Sequence, residues 1–174
     1  GITWTSRTSG ITNNLMGVTF GNNTFVAVGY SGKIVRSTDN GETWDNATSP
    51  TDNRIYGVAF GNNTFLAAAN AGNIVRSTDN GSSFDNVTSS SPVQNHYEVA
   101  FGNNTFVVVQ HRQYIVRSTD NGSSFDNATS AGSASNLWGV GFGNNTFVAV
   151  GVSGNIMRST DNGSSFDNAT SPTE

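Results

Sequence analysis

One five-residue string, Ser-Thr-Asp-Asn-Gly, occurs four times in this chain, beginning at Ser37, Ser77, Ser118 and Ser159. Its aspartates are Asp39, Asp79, Asp120 and Asp161, so the period is 40, 41 and 41 residues. An aromatic residue closes each copy: Trp44, Phe84, Phe125 and Phe166. Four copies at a fixed period define a repeat protein, in which one supersecondary unit is stacked on its neighbours. The repeats run over about 11–50, 51–91, 92–132 and 133–174 of a single domain of 174 residues.

Each repeat reads as four short strands. In the first, strand A is 15–20, strand B 25–28, strand C 33–37 and strand D 44–48. Asn22-Asn23 suits a tight turn between A and B because Asn tolerates positive φ. Strands of about five residues with turn signals every ten or so indicate an all-β architecture. Strand A alternates bulky and small residues: Met16, Val18 and Phe20 against Gly17 and Thr19. A bulky face on one sheet then packs on the small-residue face of the next, which is the packing logic of a β-propeller with four-stranded antiparallel blades.

Gly1-Ile2-Thr3-Trp4 matches Gly41-Glu42-Thr43-Trp44, so residues 1–10 read as one extra outer strand of the D type. Three outcomes stay open: a closed four-bladed ring, a larger ring shared between chains, or a part of a longer array. Four blades per chain are expected, and the spare strand suggests a homo-oligomer formed by terminal strand exchange.

Only 11% of residues are charged and the net charge is −4, with no basic stripe, so nucleic acid is not an expected partner. No apolar run approaches the length of a membrane span, and insertion in a membrane is not expected. Cysteine is absent, which removes disulfides and thiolate metal sites. No metal site, catalytic residue or cofactor is expected. The chain opens on Gly1 rather than Met, and its native N-terminus is expected to lie elsewhere. The compartment is undetermined, with an extracellular or virion or cell surface location favoured. The Asn-x-Ser/Thr triplets fall mostly in tight turns and read as by-products of the repeat composition.

Within the repeated loop, Gly41, Gly81, Gly122 and Gly163 supply positive φ. Ser37, Ser77, Ser118, Ser159 and the four aspartates are placed to bond nearby backbone N–H groups. Aspartates a whole repeat apart do not converge, so their role is structural rather than metal binding or acid catalysis. Arg36 faces Asp45 across the C–D hairpin, a relation kept at Arg76/Asp85, Arg117/Asp126 and Arg158/Asp167. A modest cross-strand charge pair is expected there.

The pattern Ser-x-Asp-x-Gly-x-x-Trp/Phe resembles the Asp-box, or BNR repeat, of propellers in the sialidase superfamily and of propellers like the photosystem II assembly factor. The surrounding Gly-Val-x-Phe-Gly-Asn-Asn-Thr-Phe is similar to repeats of that group. The resemblance covers nearly the whole chain and implies the propeller fold. For activity it implies less, since the motif occurs in enzymes and non-enzymes. The sialidase-like pattern of an Arg-Ile-Pro motif and an arginine triad is not met. The motif is missing, and Arg7, Arg54 and Arg112 alone remain once the repeat arginines are set aside.

Differences between the copies point to one edge. The A–B turn is Gly-Asn-Asn-Thr in every copy and the C–D loop barely changes, whereas the B–C turns and D–A connections vary. In an up-and-down sheet those two connections share an edge, and loops on a rigid scaffold are where binding residues gather. The candidate ligand-binding residues are Tyr30, Lys33, Asn70, Asn73, His96, Tyr97, Glu98, His111, Arg112, Tyr114 and Asn155. The third copy departs furthest, with Glu98 where the others have Gly17, Gly57 and Gly139. The expected function is a non-enzymatic binding or scaffold module that recognises a glycan or a protein through this edge. A self-assembling structural repeat is the alternative, and a sialidase-like glycosidase built on Tyr97-Glu98 stands behind both.

Overall fold

A computed structural model describes residues 3–89, 94–130 and 136–169. Each repeat folds into one antiparallel blade. Blade one holds β1 (Leu15–Gly21), β2 (Thr24–Gly29), β3 (Ile34–Ser37) and β4 (Asp45–Asn46). Blade two holds β5 (Ile55–Gly61), β6 (Thr64–Ala69), β7 (Ile74–Ser77) and β8 (Asp85–Ser89). Blade three holds β9 (His96–Gly102), β10 (Thr105–Gln110), β11 (Ile115–Ser118) and β12 (Ser124–Asn127), continued by β13 (Thr129–Ser130). Blade four holds β14 (Leu137–Gly143), β15 (Thr146–Gly151), β16 (Ile156–Ser159) and β17 (Ser165–Asn168). The inner strands pack in order, β1 on β5, β5 on β9 and β9 on β14.

The turns behave as the sequence dictates. Both asparagines of every A–B turn take positive φ, as at Asn22 (49°) and Asn23 (56°). That is the backbone which matches the right-handed twist of the flanking strands. Residues 3–14 carry no strand, so the described part of the N-terminal segment, expected as an extra D-type strand, pairs with no sheet. Arg7 Nη2 instead donates to Glu42 Oε1 at 2.8 Å, an exposed ion pair. The longer D–A connections at 90–93 and 131–135, residues 1–2 and the end of the last repeat lie outside the described residues.

The core sits between blades. One cluster joins Val26, Val28 and Ile34 of blade one to Ile55, Phe65 and Ala67 of blade two. Equivalent clusters join blade two to three and blade three to four. Packing of large on small sets the spacing. A Cβ on Gly21, Gly61 or Gly102 would lie 2.0, 2.2 or 2.1 Å from the rings of Phe60, Phe101 and Phe142, respectively. Only glycine allows that approach. The repeated loop of each later blade also seats on the blade before it. Gly81, Gly122 and Gly163 lie over Val26, Leu66 and Val107, where a Cβ would stand 2.6 to 2.8 Å from the side chain. Short parallel pairings link consecutive outer strands, β8 with β12 and β13 with β17.

Candidate functional site

The two edges of the blades are built differently. On the invariant edge the aspartate loop is saturated with local hydrogen bonds. Ser37 Oγ donates to Asp39 Oδ1 at 2.7 Å, and Gly41 N donates to Ser37 Oγ at 2.9 Å. Thr43 donates to Asp39 through both its N–H and its Oγ1, the latter at 2.6 Å. These bonds, the Thr43 hydroxyl first, hold Asp39 down at about 2 against an ordinary 3.8. Asp79 and Asp120 also sit at about 2: burial opposes the shift, and bonds from Ser83 and Ser124, among others, outweigh it. Asp161 sits at about 2, led by the Ser165 hydroxyl. Each carboxylate is thus a charged anchor whose acceptor sites are used inside its own loop.

The same loop fastens neighbouring blades. Asn80, Asn121 and Asn162 donate from Nδ2 to Thr24, Thr64 and Thr105 of the preceding blade at 2.7, 2.8 and 2.6 Å. The repeat arginines take part in this. Arg36 and Asp45 are cross-strand partners in register, as are Arg117 and Asp126. The expected ion pair between them does not form: Arg7–Glu42 is the only one among the described residues. Arg36 reaches Ser82 and the Asn80 carbonyl of the next blade. Arg76 Nε donates to the Asn121 carbonyl at 2.8 Å, and Arg117 reaches Ser164. The loop carbonyls and hydroxyls compete successfully because they complete an interface, whereas Asp45 and Asp126 are exposed to water.

The opposite edge carries the B–C turns and D–A connections, and here the structure brings them together. Tyr30 N donates to the Asn14 carbonyl and His111 N to the Asn95 carbonyl, at 2.9 and 3.0 Å. Side chains then bridge blades: Asn95 Oδ1 accepts from Ala71 N at 3.2 Å and Asn136 Oδ1 from Arg112 N at 3.1 Å. Lys33 lines a polar groove of about 280 Å³ with Thr51 and Asp52, between the first B–C turn and the connection to blade two.

A β-bulge recurs near the start of every inner strand. Its register shift falls between Leu15 and Gly17, between Ile55 and Gly57, and between Leu137 and Gly139. In β9 it lies opposite Val109/Gln110. A bulge re-aims one side chain, and the residues set apart are Met16, Tyr56, Tyr97 and Trp138. Three of them form a row. The Tyr56 and Tyr97 rings are 5.4 Å apart, and those of Tyr97 and Trp138 are 4.4 Å apart. Trp138 remains 49% exposed. Arg54 extends the row, its guanidinium 3.7 Å from the centre of the Tyr30 ring and 5.6 Å from that of Tyr56. The result is an aromatic and cationic strip along the variable edge.

The sequence-derived candidates divide on this frame. Tyr30 and Tyr97 belong to the strip. Arg112 and Tyr114 are exposed on the third B–C turn, Arg112 at a positive φ of 58°. His111 lies beside them in the same turn. Asn73 is a turn residue, its Nδ2 donating to the Asn70 carbonyl at 2.9 Å. Asn155 closes the fourth turn through its backbone N–H to the Val152 carbonyl at 3.1 Å. His96 is buried at the place held by Ile55 and Leu137. Burial pushes it down to about 4, although its Nδ1 lies 3.2 Å from the Asn73 carbonyl, which accepts from it. Glu98 folds over blade two, where a Cβ on Gly57 would meet its Oε1 at 2.2 Å. Burial raises its pKa, opposed by the bond from Val99 N. Tyr56, Trp138 and Arg54 were absent from the candidate set. For Tyr56 and Trp138 the signal is an aromatic at the second position of the A strand, shared with Tyr97, which reads equally as core; nothing in the sequence marks Arg54.

No protein-family model matches the chain, and no curated protein matches it in sequence. Solved structures do. YCF48 bound to a D1 peptide is similar over 93% of this chain and 55% of its own, at 18% identity and a TM-score of 0.72. YCF48 from Cyanidioschyzon merolae is similar over 92% of this chain and 57% of its own, at 17% identity and a TM-score of 0.70. The computationally designed Ika4 protein is similar over 86% of this chain and 92% of its own, at 13% identity and a TM-score of 0.71. The fold these likenesses show is the β-propeller. The chain therefore spans little more than half the length of the two YCF48 chains. No helix among the described residues is long and apolar enough to cross a membrane.

Proposed function

We propose that this chain is a non-enzymatic propeller module that binds a segment of a protein partner on the edge formed by the B–C turns and D–A connections. The observation that carries this is the Tyr56–Tyr97–Trp138 row with Arg54 at its end. Aromatic side chains offer large, rigid contact area with few torsions to freeze, which is why Tyr, Trp and Arg dominate binding hot spots. YCF48, which shares the fold, was solved with a bound peptide, and that favours a peptide segment over a glycan here. Glu98 supplies a partly buried carboxylate beside the row, suited to a backbone N–H or a cationic side chain of the ligand. Arg112 and Tyr114 extend the surface on blade three. The motif resemblance to Asp-box repeats fits this division of labour, with the loops holding blades together on the far edge.

The test is selection of a displayed random peptide library on the immobilised chain, with a glycan array run in parallel. Selected peptides should lose at least about tenfold in affinity with Tyr97→Ala/Trp138→Ala, a loss typical of a hot-spot pair. Arg112→Ala/Tyr114→Ala should weaken them less. Peptides whose affinity survives Tyr97→Ala/Trp138→Ala place the site elsewhere. Glycan hits with no peptide hits replace the protein partner with a carbohydrate.

A further inference from the structure

The three blade-to-blade contacts inside the chain are copies of one interface, and both halves of a fourth copy are left open at the ends of the arc. On blade four the receiving half is complete but uncovered. Nothing lies within 4 Å of a Cβ at Gly143, whereas its equivalents Gly21, Gly61 and Gly102 are each filled by a phenylalanine ring. Val148 is 38% exposed, where Val26, Leu66 and Val107 are at 0%. Blade one carries the inserting half. Phe20 is 50% and Val18 62% exposed, and they occupy the places of Phe60 and Val58. A Cβ on Gly41 would meet only Trp44 of its own loop, at 3.9 Å, and no neighbouring blade.

We propose that a second copy of this chain docks head-to-tail, its blade one on this blade four, reproducing the internal blade interface. Phe20 of the copy fills the space over Gly143. Its Asn40 donates to Thr146 Oγ1, as Asn80 does to Thr24. Charge complementarity specifies the match. Arg158 corresponds to Arg36 and Arg117, which reach Ser82 and Ser164 on the following blade. The residue of blade one in that loop position is Glu42, so the neutral contact becomes an arginine–carboxylate pair. Glu42 is exposed and already holds Arg7, leaving its second oxygen for Arg158. A groove of about 330 Å³ bounded by Arg158, Asp167, Asn168 and Ala169 lies where the incoming loop would sit. A second groove of about 340 Å³ opens on the facing side of blade one, beside Val18 and Trp44.

This contact is heterologous: each chain offers one face of each kind. It closes into a ring when the blades complete a turn and otherwise extends as a filament. It differs from strand exchange, because sheets meet face to face and no strand changes partners.

Sedimentation velocity over a concentration series of the 174-residue chain provides the test. The chain should assemble with concentration. Phe20→Asp and Val148→Asp should each weaken assembly by roughly 30-fold or more, the scale of a hot-spot loss. Both positions are solvent-exposed in the single chain, so circular dichroism should show the variants folded. Mixed together they should form a one-to-one dimer and nothing larger, since each supplies the face the other has lost. Glu42→Arg and Arg158→Glu should each impair assembly, and the double variant should recover it. A chain that stays monomeric throughout overturns the proposal. So does assembly that survives both Phe20→Asp and Val148→Asp.

Discussion

The two edges of these blades are made from the same four strands and have been used in opposite ways. On the edge of the A–B turns and aspartate loops, polar groups are spent on one another: each Asp accepts from its own loop, and the loop Asn of blades two to four crosses to the preceding blade. Across the B–C and D–A edge, backbone groups are satisfied by Asn95 and Asn136, while the aromatic side chains at a repeated bulge stay partly exposed, Trp138 the most. Repetition of sequence marks the first edge because the same interface has to be built every time. Divergence marks the second because its contacts between blades are made by different residues in each copy, as with Arg54 on Tyr30 and Tyr97 on Trp138. The loops that fasten the blades and the proposed recognition surface thus lie on separate edges.

Substitutions should separate the two edges, beginning with the acid behaviour of His96. This residue is neutral and buried, and its folded value of about 4 lies below an ordinary 6.5. A group shifted down in the folded state loses its contribution as pH falls from the unfolded value toward the folded one, here between 6.5 and about 4. His96→Leu, which copies Leu137, should abolish that loss and leave the variant more stable at pH 4 by roughly 3 kcal/mol. Urea unfolding at a series of pH values measures it. A variant with the same slope as wild type in that window would show that His96 is not the titrating group.

On the invariant edge, Asp120→Ala removes the acceptor for Ser118, Ser123 and Ser124. A cost of about 2–3 kcal/mol is expected in the same urea assay at pH 7, from loss of bonds to a charged acceptor. The four aspartates add a lower acid window: their contribution is whole above 3.8 and is lost as pH falls toward about 2. His96→Leu should therefore keep its fold to lower pH than wild type and then fail in this second window.

The smallest stability effect belongs to the variable edge. Trp138→Ala should cost less than about 1 kcal/mol, because half of the side chain is already in water. Its effect on peptide affinity should be the larger of the two. A cost as great as that of Asp120→Ala would make the aromatic row part of the core.

Much of this was legible in the sequence. The period, the Asn-Asn turns and the alternation of bulky and small residues gave the blades, and the divergence between copies identified the variable edge. The aromatic row escaped because a bulge breaks the period of two. Met16 opens the bulky series Met16, Val18 and Phe20, so the equivalent Tyr56 and Trp138 carry the signal of core-facing side chains. His96 drew attention as a polar residue in a divergent copy, yet it fills an aliphatic position. The repeat arginines were placed in the right register with the wrong partners, because a hairpin pairing is visible in one repeat and a contact between blades is not.

Recognition is proposed on the edge opposite the loops that hold the blades together. A selected peptide titrated into ¹⁵N-labelled protein tests this directly through the backbone amide shifts. The prediction is that perturbations centre on Tyr56, Tyr97, Trp138 and the B–C turns, with Asn22, Asn62, Asn103 and the aspartate loops unmoved. Perturbations centred on the Asn-Asn turns and aspartate loops would contradict it.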